Sequence, residues 1–164
     1  MKLYTSGGIQ KRKDGGRRWR LALEKFVTRN KLDLELVHPP DILNPNFNSE
    51  EDARLLYDNE ESWYKKHEAT ELEDLRLVRH CDATVFYYDG KQGVGTDLEF
   101  IEAYNNSKLM YFIRMIPKPK IPHWIMWRLM RLKHEESKRV TIFTSLTEFK
   151  LYLKSHLKRV EEKK

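Results

Sequence analysis

Asp82-Ala-Thr-Val-Phe-Tyr-Tyr-Asp-Gly90, continuing as Lys91-Gln-Gly-Val-Gly-Thr-Asp-Leu-Glu-Phe-Ile-Glu-Ala-Tyr-Asn-Asn-Ser-Lys108, is the stretch from which the rest of the chain can be read. Ala83 to Tyr88 is an apolar, β-branched and aromatic run of strand length, ended by Asp89-Gly90. Gly93-Val-Gly95-Thr96 then opens a segment whose Leu98, Ile101 and Tyr104 recur at helical spacing. The order is strand, glycine loop, helix. In an open α/β sheet, ligands bind beyond the carboxyl ends of the strands, and glycines there let backbone approach a ligand closely. An acid in the first turns of the helix, Asp97 or Glu99, is placed to face such a crevice.

Working outward in both directions gives the same alternation. Lys2-Leu-Tyr-Thr5 reads as a first strand, running into the turn Ser6-Gly7-Gly8. A loop with Lys11, Arg12, Lys13, Arg17 and Arg18 around Asp14-Gly15-Gly16 leads to a helix from about Arg17 to Asn30, with Trp19, Leu23, Phe26 and Val27 as its apolar face. Basic groups and glycines at a strand-to-helix junction suit a phosphate, because free N–H groups and the positive helix end both favour an anion. An ordinary solvated loop fits the composition equally well. The glycine pattern is neither a Walker loop nor a dinucleotide fingerprint, so it implies neither ATP nor NAD.

Leu34-Glu-Leu-Val37 is the second strand, and His38-Pro39-Pro40 ends it. Residues 41–48 form a loop in which Phe47 covers a ligand or seals the core, and Ser49 with Asp52 resembles a helix cap ahead of Trp63 and Tyr64. Thr70-Glu-Leu-Glu73 matches a capping box and predicts a helix from there to about Cys81, with Leu72, Leu75 and Val78 on one face. Leu109 to Met115 is the fourth strand, closed by a proline-rich loop. His123 to Lys133 is an apolar helix carrying Trp124, Trp127 and Met130, Val140 to Thr144 a fifth strand, and Ser145-Leu-Thr-Glu148 a second capping box before the last helix. Strands alternating with helices predict one α/β domain over residues 1–164, Rossmann-like, with a five-stranded parallel sheet covered on both faces.

Composition bounds the function. The chain has 164 residues, 40% of them hydrophobic and 34% charged, and no apolar run approaches the length of a membrane span. No secretory leader is evident at Met1-Lys2-Leu3-Tyr4, so a cytoplasmic protein is expected. A single cysteine, Cys81, excludes an internal disulfide and reads as a buried thiol. Thirty-one Lys and Arg against 25 Asp and Glu leave a formal charge of +6, which favours an anionic ligand. The histidines are scattered, and no cluster has metal-ligand spacing. What remains are carboxylates. Asp74, Asp89, Asp97 and Glu99 sit at an early helical turn, a strand end and a helix start that should converge, and carboxylates gathered in a partly desolvated cleft can divide the work of nucleophile and acid. Chemistry without a metal or cofactor is expected.

Asp74, Asp82 eight residues later, Gly93-Val-Gly95-Thr96, Glu99, Ala103 and Ser107-Lys108 together resemble the nucleoside 2-deoxyribosyltransferase family, which includes deoxynucleoside 5′-monophosphate N-glycosidases. The strand ending Tyr88-Asp89-Gly90 fits it as well; the similarity covers residues 70–115 and, more loosely, 1–10. The resemblance implies a flavodoxin-like fold, a nucleoside or nucleotide substrate, and Glu99 as the nucleophile that attacks C1′ of the sugar. It implies that Asp74 places the sugar and the nucleophile and that Asp89 binds or protonates the base; the expected substrate contacts are Ser6, Gly7, Gly8, Gly93, Gly95, Thr96 and Asp97, with Arg17 and Arg18 from the basic loop. Some members carry the acid nearer the glycines, which would select Asp97; the spacing to Ala103 and Lys108 selects Glu99. Transferase and hydrolase differ only in the acceptor, a second base or water. The resemblance further implies a homo-oligomer in which a neighbouring chain completes each site, and the Trp124, Trp127, Met130 helix is the candidate interface. The competing classes are an NAD-cleaving glycohydrolase and a non-enzymatic nucleotide-sensing or nucleic-acid-binding module; nucleic acid is the less expected partner, because no set of aromatic platforms or groove-reading element is evident.

Overall fold

The computed structural model describes residues 1–9, 13–40 and 60–161. Strands β1 (Lys2–Gly7), β2 (Glu35–Val37), β3 (Ala83–Tyr88), β4 (Leu109–Arg114) and β5 (Val140–Phe143) alternate with helices α1 (Arg17–Arg29), α2 (Glu60–His80), α3 (Val94–Asn105), α4 (His123–Glu135) and α5 (Leu146–Glu161). All pairings are parallel and the strand order is β2-β1-β3-β4-β5, the flavodoxin-like order. The expected fold is the one observed. Because the winding direction reverses between β1 and β3, the crevice at the switch point opens beyond Gly7 and Tyr88.

Strand periodicity divides the core. Leu3, Ala83, Val85, Tyr111 and Ile113 face Trp19, Leu23 and Val27 of α1 and Phe149, Leu153 and Leu157 of α5. Tyr4, Phe86, Tyr88, Met110 and Phe112 face Val78 of α2, Phe100 and Ala103 of α3, and Ile125, Leu129 and Leu132 of α4. Strands buried on both faces are nearly continuous apolar runs, which is why β3 and β4 were legible. Cys81 is buried in the second cluster. Burial pushes its thiol up to about 11, as suits an inert packing group.

Two local expectations are corrected. Helix α2 runs from Glu60, so Thr70 lies in its interior and does not cap it. The preceding ten residues are mostly helix formers, and the Lys65–Glu61 pair at i,i+4 supports them, so the helix continues through a sequence that resembles a start. In α3 the buried face is Thr96, Glu99, Phe100 and Ala103, whereas Leu98 is exposed. The apolar period pointed one residue away because the true inner face carries a carboxylate. The second capping box is real: Ser145 Oγ accepts the Glu148 amide, while Glu148 reaches back to the backbone and hydroxyl of Thr144.

The expected loop over 41–48 with Phe47, the Ser49–Asp52 cap, and Lys11 and Arg12 lie outside the described residues. Trp63 and Tyr64 fall within α2; their side chains are likewise outside the description.

Candidate active site

The site is assembled where β1 passes under the start of α3. Tyr4 and Ser6 are alternate residues of β1, so their side chains leave the same face of the sheet, the face that α3 covers. Glu99, 6% exposed, points down from α3 between them. The Tyr4 hydroxyl donates to Glu99 Oε1 at 2.6 Å, and the Ser6 hydroxyl donates to Oε2. Each carboxylate oxygen thus has its own donor. Asp74 of α2 adjoins the same group, and its Oδ1 is buried with no hydrogen-bond partner. An orphaned acceptor beside an anchored carboxylate is an uncompleted polar site, of the kind a ligand hydroxyl would satisfy.

Electrostatics follow from this crowding. Burial, helped by the Asp74 charge, pushes Glu99 up to about 7 against the opposing hydrogen bonds from Ser6 and Tyr4 and the Arg20 charge. Asp74 is pushed up to about 6, mainly by burial, while Tyr4 and Arg20 pull it back. The Tyr4 phenol is raised well above its ordinary value by burial and by the adjoining carboxylates, so it remains a donor. Two desolvated acids with elevated affinities for protons, one of them rigidly held, resemble an acid–nucleophile pair.

The other predicted acids are elsewhere in the crevice. Asp97, two residues before Glu99, accepts the Tyr88 hydroxyl at 2.8 Å and is half-buried. Asp89 lies in the turn after β3, where its Oδ1 accepts the Lys91 amide at 3.1 Å. Asp82 is at the opposite, amino end of β3, and its carboxylate accepts the Lys2 amide at 2.7 Å, which makes it a tie between strands. The helix that carries Glu99 ends in a Schellman motif: Ser107 is left-handed (φ 55), Lys108 N–H reaches Ala103 O and Ser107 N–H reaches Tyr104 O. The Ala103 and Ser107-Lys108 spacing is therefore a helix stop, at a place where glycine would relieve the left-handed residue.

The glycines do different things. A Cβ on Gly8 would stand 2.2 Å from the Lys91 carbonyl oxygen, so the loops after β1 and β3 touch there, backbone to backbone. Gly95, by contrast, faces open space, with nothing within 4 Å of such a Cβ. Gly93 precedes α3 in extended conformation, and Thr96 is buried on the inner face of α3. Gly7 packs against the stacked pair of Trp19 and Tyr87, whose centroids are 5.0 Å apart.

The expectation of free amides at the start of α1 is corrected. Asp14 occupies that helix end: its carboxylate accepts the Gly16 amide at 3.3 Å and the Arg18 amide at 3.1 Å. An acid already sits where the helix end would take a phosphate, so an anion in this loop would be held by side chains. Arg18 is exposed and Arg17 half-buried.

Residues that the sequence did not mark include Tyr4, Thr5, Arg20 and His38. Arg20 is fully buried and lies over the Trp19 ring at 4.6 Å. On that same sheet face Thr5 Oγ1 is 2.6 Å from His38 Nδ1, and His38 Nε2 is 3.2 Å from Glu24 Oε1; burial lowers the His38 affinity for a proton. Period-two alternation could have nominated Tyr4 and Ser6 together, but nothing local distinguishes Arg20 from its exposed neighbours. Among the described residues no group of His, Cys, Asp and Glu has the arrangement of a metal site, and no helix is long and apolar enough to cross a membrane.

No family model matches the chain, and no curated protein matches it. Solved structures do. The CMP N-glycosidase of Clostridium botulinum superposes with a TM-score of 0.52 at 14% identity, over 96% of this chain and 100% of the other. The 2-deoxyribosyltransferase of Leishmania mexicana superposes with a TM-score of 0.54 at 13% identity, over 95% and 99%. These matches span both chains almost completely, and they establish a common fold.

Proposed function

We propose that the protein cleaves or exchanges the N-glycosidic bond of a nucleoside or nucleotide, with Glu99 as nucleophile. The observation that carries this reading is the buried Glu99 carboxylate, held by Tyr4 and Ser6 at the switch point beside the partnerless Oδ1 of Asp74. In the proposed step a Glu99 oxygen forms a bond to C1′ as the C1′–N bond breaks, and the base leaves with the bonding electron pair and takes a proton from Asp89 or from water. The transition state resembles an oxocarbenium ion, whose positive charge an adjacent carboxylate stabilises. The glycosyl ester is then transferred to water, giving a hydrolase, or to a second base, giving a transferase.

Roles follow from the placement. Tyr4 and Ser6 orient the carboxylate by one hydrogen bond to each oxygen. Asp74 binds a sugar hydroxyl through its carboxylate, and Asp89, in the turn at the crevice mouth, meets the base. Gly95 offers the open backbone against which the substrate lies. The names of the two fold neighbours, an N-glycosidase and a deoxyribosyltransferase, support this class of chemistry, as does the motif resemblance. The reading requires no metal or cofactor.

A panel of deoxynucleosides, deoxynucleotides, their ribo counterparts and NAD, incubated with and without a free acceptor base, tests the proposal. Base release or base exchange with at least one substrate, lost in Glu99→Gln, is the expected result. Absence of both across the panel overturns it; release from NAD alone assigns the site to NAD cleavage.

A further inference from the structure

The sheet stops early on one side of β1. Toward β3 the pairing continues to Gly7 and Tyr87, but toward β2 it ends at Tyr4 and Val37. The Met1 carbonyl accepts the Glu35 amide while the Lys2 carbonyl accepts the Asp82 amide, so odd-numbered carbonyls of this segment face β2 and even-numbered ones face β3. Continuing the register, the donor for the Thr5 carbonyl would be the N–H of residue 39, which is proline and has none. The Thr5 carbonyl, at the site end of β1, thus lacks that strand partner.

Arg20 replaces it. Its Nη2 donates to Thr5 O at 3.0 Å and to Gly7 O at 3.2 Å, its Nη1 to Gly16 O at 3.0 Å, and its Nε to Thr5 Oγ1 at 3.2 Å. A planar guanidinium can span carbonyls from two segments in this way, whereas an ammonium is a single point of charge. Ser6 stands between the two β1 carbonyls so held, and its hydroxyl is the donor to Glu99 Oε2. Gly16 is left-handed, and a Cβ there would lie 2.6 Å from Arg20 Nη1, so the loop is shaped around this side chain.

We infer that Arg20 is a positioning residue for the Glu99 carboxylate, acting through the strand end on which Ser6 stands. Its charge also favours the ionised forms of Glu99 and Asp74, in opposition to burial. The catalytic consequence rests on the reading of Glu99 as nucleophile; the structural consequence does not.

The experiment compares Arg20→Lys, Ser6→Ala and the double variant, by kcat and KM on a substrate that the wild type turns over and by carbon-13 titration of the Glu99 carboxyl. Arg20→Lys keeps the charge and loses the fork, and it is expected to lower kcat about tenfold with KM within about twofold. Because Arg20 acts through the Ser6–Glu99 hydrogen bond that Ser6→Ala deletes, the double variant is expected to be no slower than Ser6→Ala alone. The Glu99 titration should move to higher pH in both single variants, a shift that a merely structural arginine would not produce. Multiplying losses in the double variant, or an unmoved Glu99 titration in Arg20→Lys, overturns the inference. If the wild type turns over nothing, the reading of the reaction fails while the titrations still decide the role of Arg20. Should Arg20→Lys not fold, Thr5→Val removes one acceptor of the fork, and a Glu99 titration unmoved there overturns the inference equally.

Discussion

The hydroxyl of Tyr4 and the carboxylate of Glu99 lie 95 positions apart in the chain and 2.6 Å apart in space. The contact joins the first strand to the helix after the third, across the switch point of the sheet. It fixes the carboxylate against rotation from one side while Ser6 fixes it from the same strand two residues on. If Glu99 is the nucleophile, as proposed, a carboxylate restrained in this way loses little entropy on reaching the transition state.

Glu99→Gln should abolish turnover, by on the order of a thousandfold or more, because the amide preserves volume and cannot form the ester. Asp97→Asn should cost less than about tenfold, since it weakens a contact to Tyr88 and leaves Glu99 in place. Steady-state rates of the two variants decide between the acids. The reverse order would move the nucleophile to Asp97.

The pH dependence has opposite signs for activity and stability. If Glu99 is the nucleophile it must be ionised, so kcat/KM should rise with pH through about 7, and Asp74→Asn should move that rise to lower pH by removing a neighbouring negative charge. Stability runs the other way: between the ordinary carboxylate value of 4.5 and about 7 the folded protein holds the proton that the unfolded chain has released, so stability falls as pH rises through that window. Glu99→Gln should therefore be more stable than the wild type at pH 8, by on the order of 1–3 kcal/mol, with the difference vanishing by about pH 4.5. Thermal melts at the two pH values measure it, and a variant destabilised equally at both would show that Glu99 carries no such cost.

Two glycines should respond to alanine in opposite ways. Gly8→Ala forces a methyl against the backbone of Lys91 and Gln92, which cannot swing away, and should destabilise by about 1–3 kcal/mol. Gly95→Ala lies in a helix with open space beyond it, and should stabilise by about 0.5–1 kcal/mol while raising KM if the substrate occupies that space. Denaturant titration and kinetics separate the two effects. An unchanged KM in Gly95→Ala would place the substrate elsewhere.

If the basic loop holds a 5′-phosphate, Arg17→Ala with Arg18→Ala should weaken a nucleotide far more than its nucleoside, by roughly 1.5–3 kcal/mol per lost charge-assisted hydrogen bond. Asp14 already caps the helix end, so the side chains would carry the whole effect. The ratio of KM values for a matched nucleotide and nucleoside is the measurement. Equal changes in both would leave the loop as solvated surface.

Oligomerisation through α4 is a further proposal. Trp127 is 52% exposed and Met130 36%, whereas Trp124 turns inward and meets Phe100 edge-on at 6.2 Å. Two of the three residues read as interface thus remain at the surface, with Arg128 and Arg131 beside the Trp127 ring. Sedimentation of the wild type and Trp127→Glu should show an assembly that the charge dissociates. A monomer at micromolar concentration in the wild type would remove the idea.

The sequence by itself determined the order of elements, the parallel sheet and the strand–glycine–helix unit bearing Glu99, because these depend on runs and periods among near neighbours. It also singled out Asp74, and the structure sets that residue beside Glu99. It misplaced the start of α2, since a capping pattern at Thr70 has no force where the helix is already running, and it mistook Leu98 for core because hydrophobic periodicity ignores a buried acid. Only the tertiary structure decided which polar residues gather around Glu99. Tyr4 became a donor to Glu99 because β1 passes beneath α3, and Arg20 became a substitute strand because Pro39 withholds an amide from Thr5. In both cases the decisive partner lies across the sheet or in another segment, where burial and direction are set by packing and leave no mark in local composition.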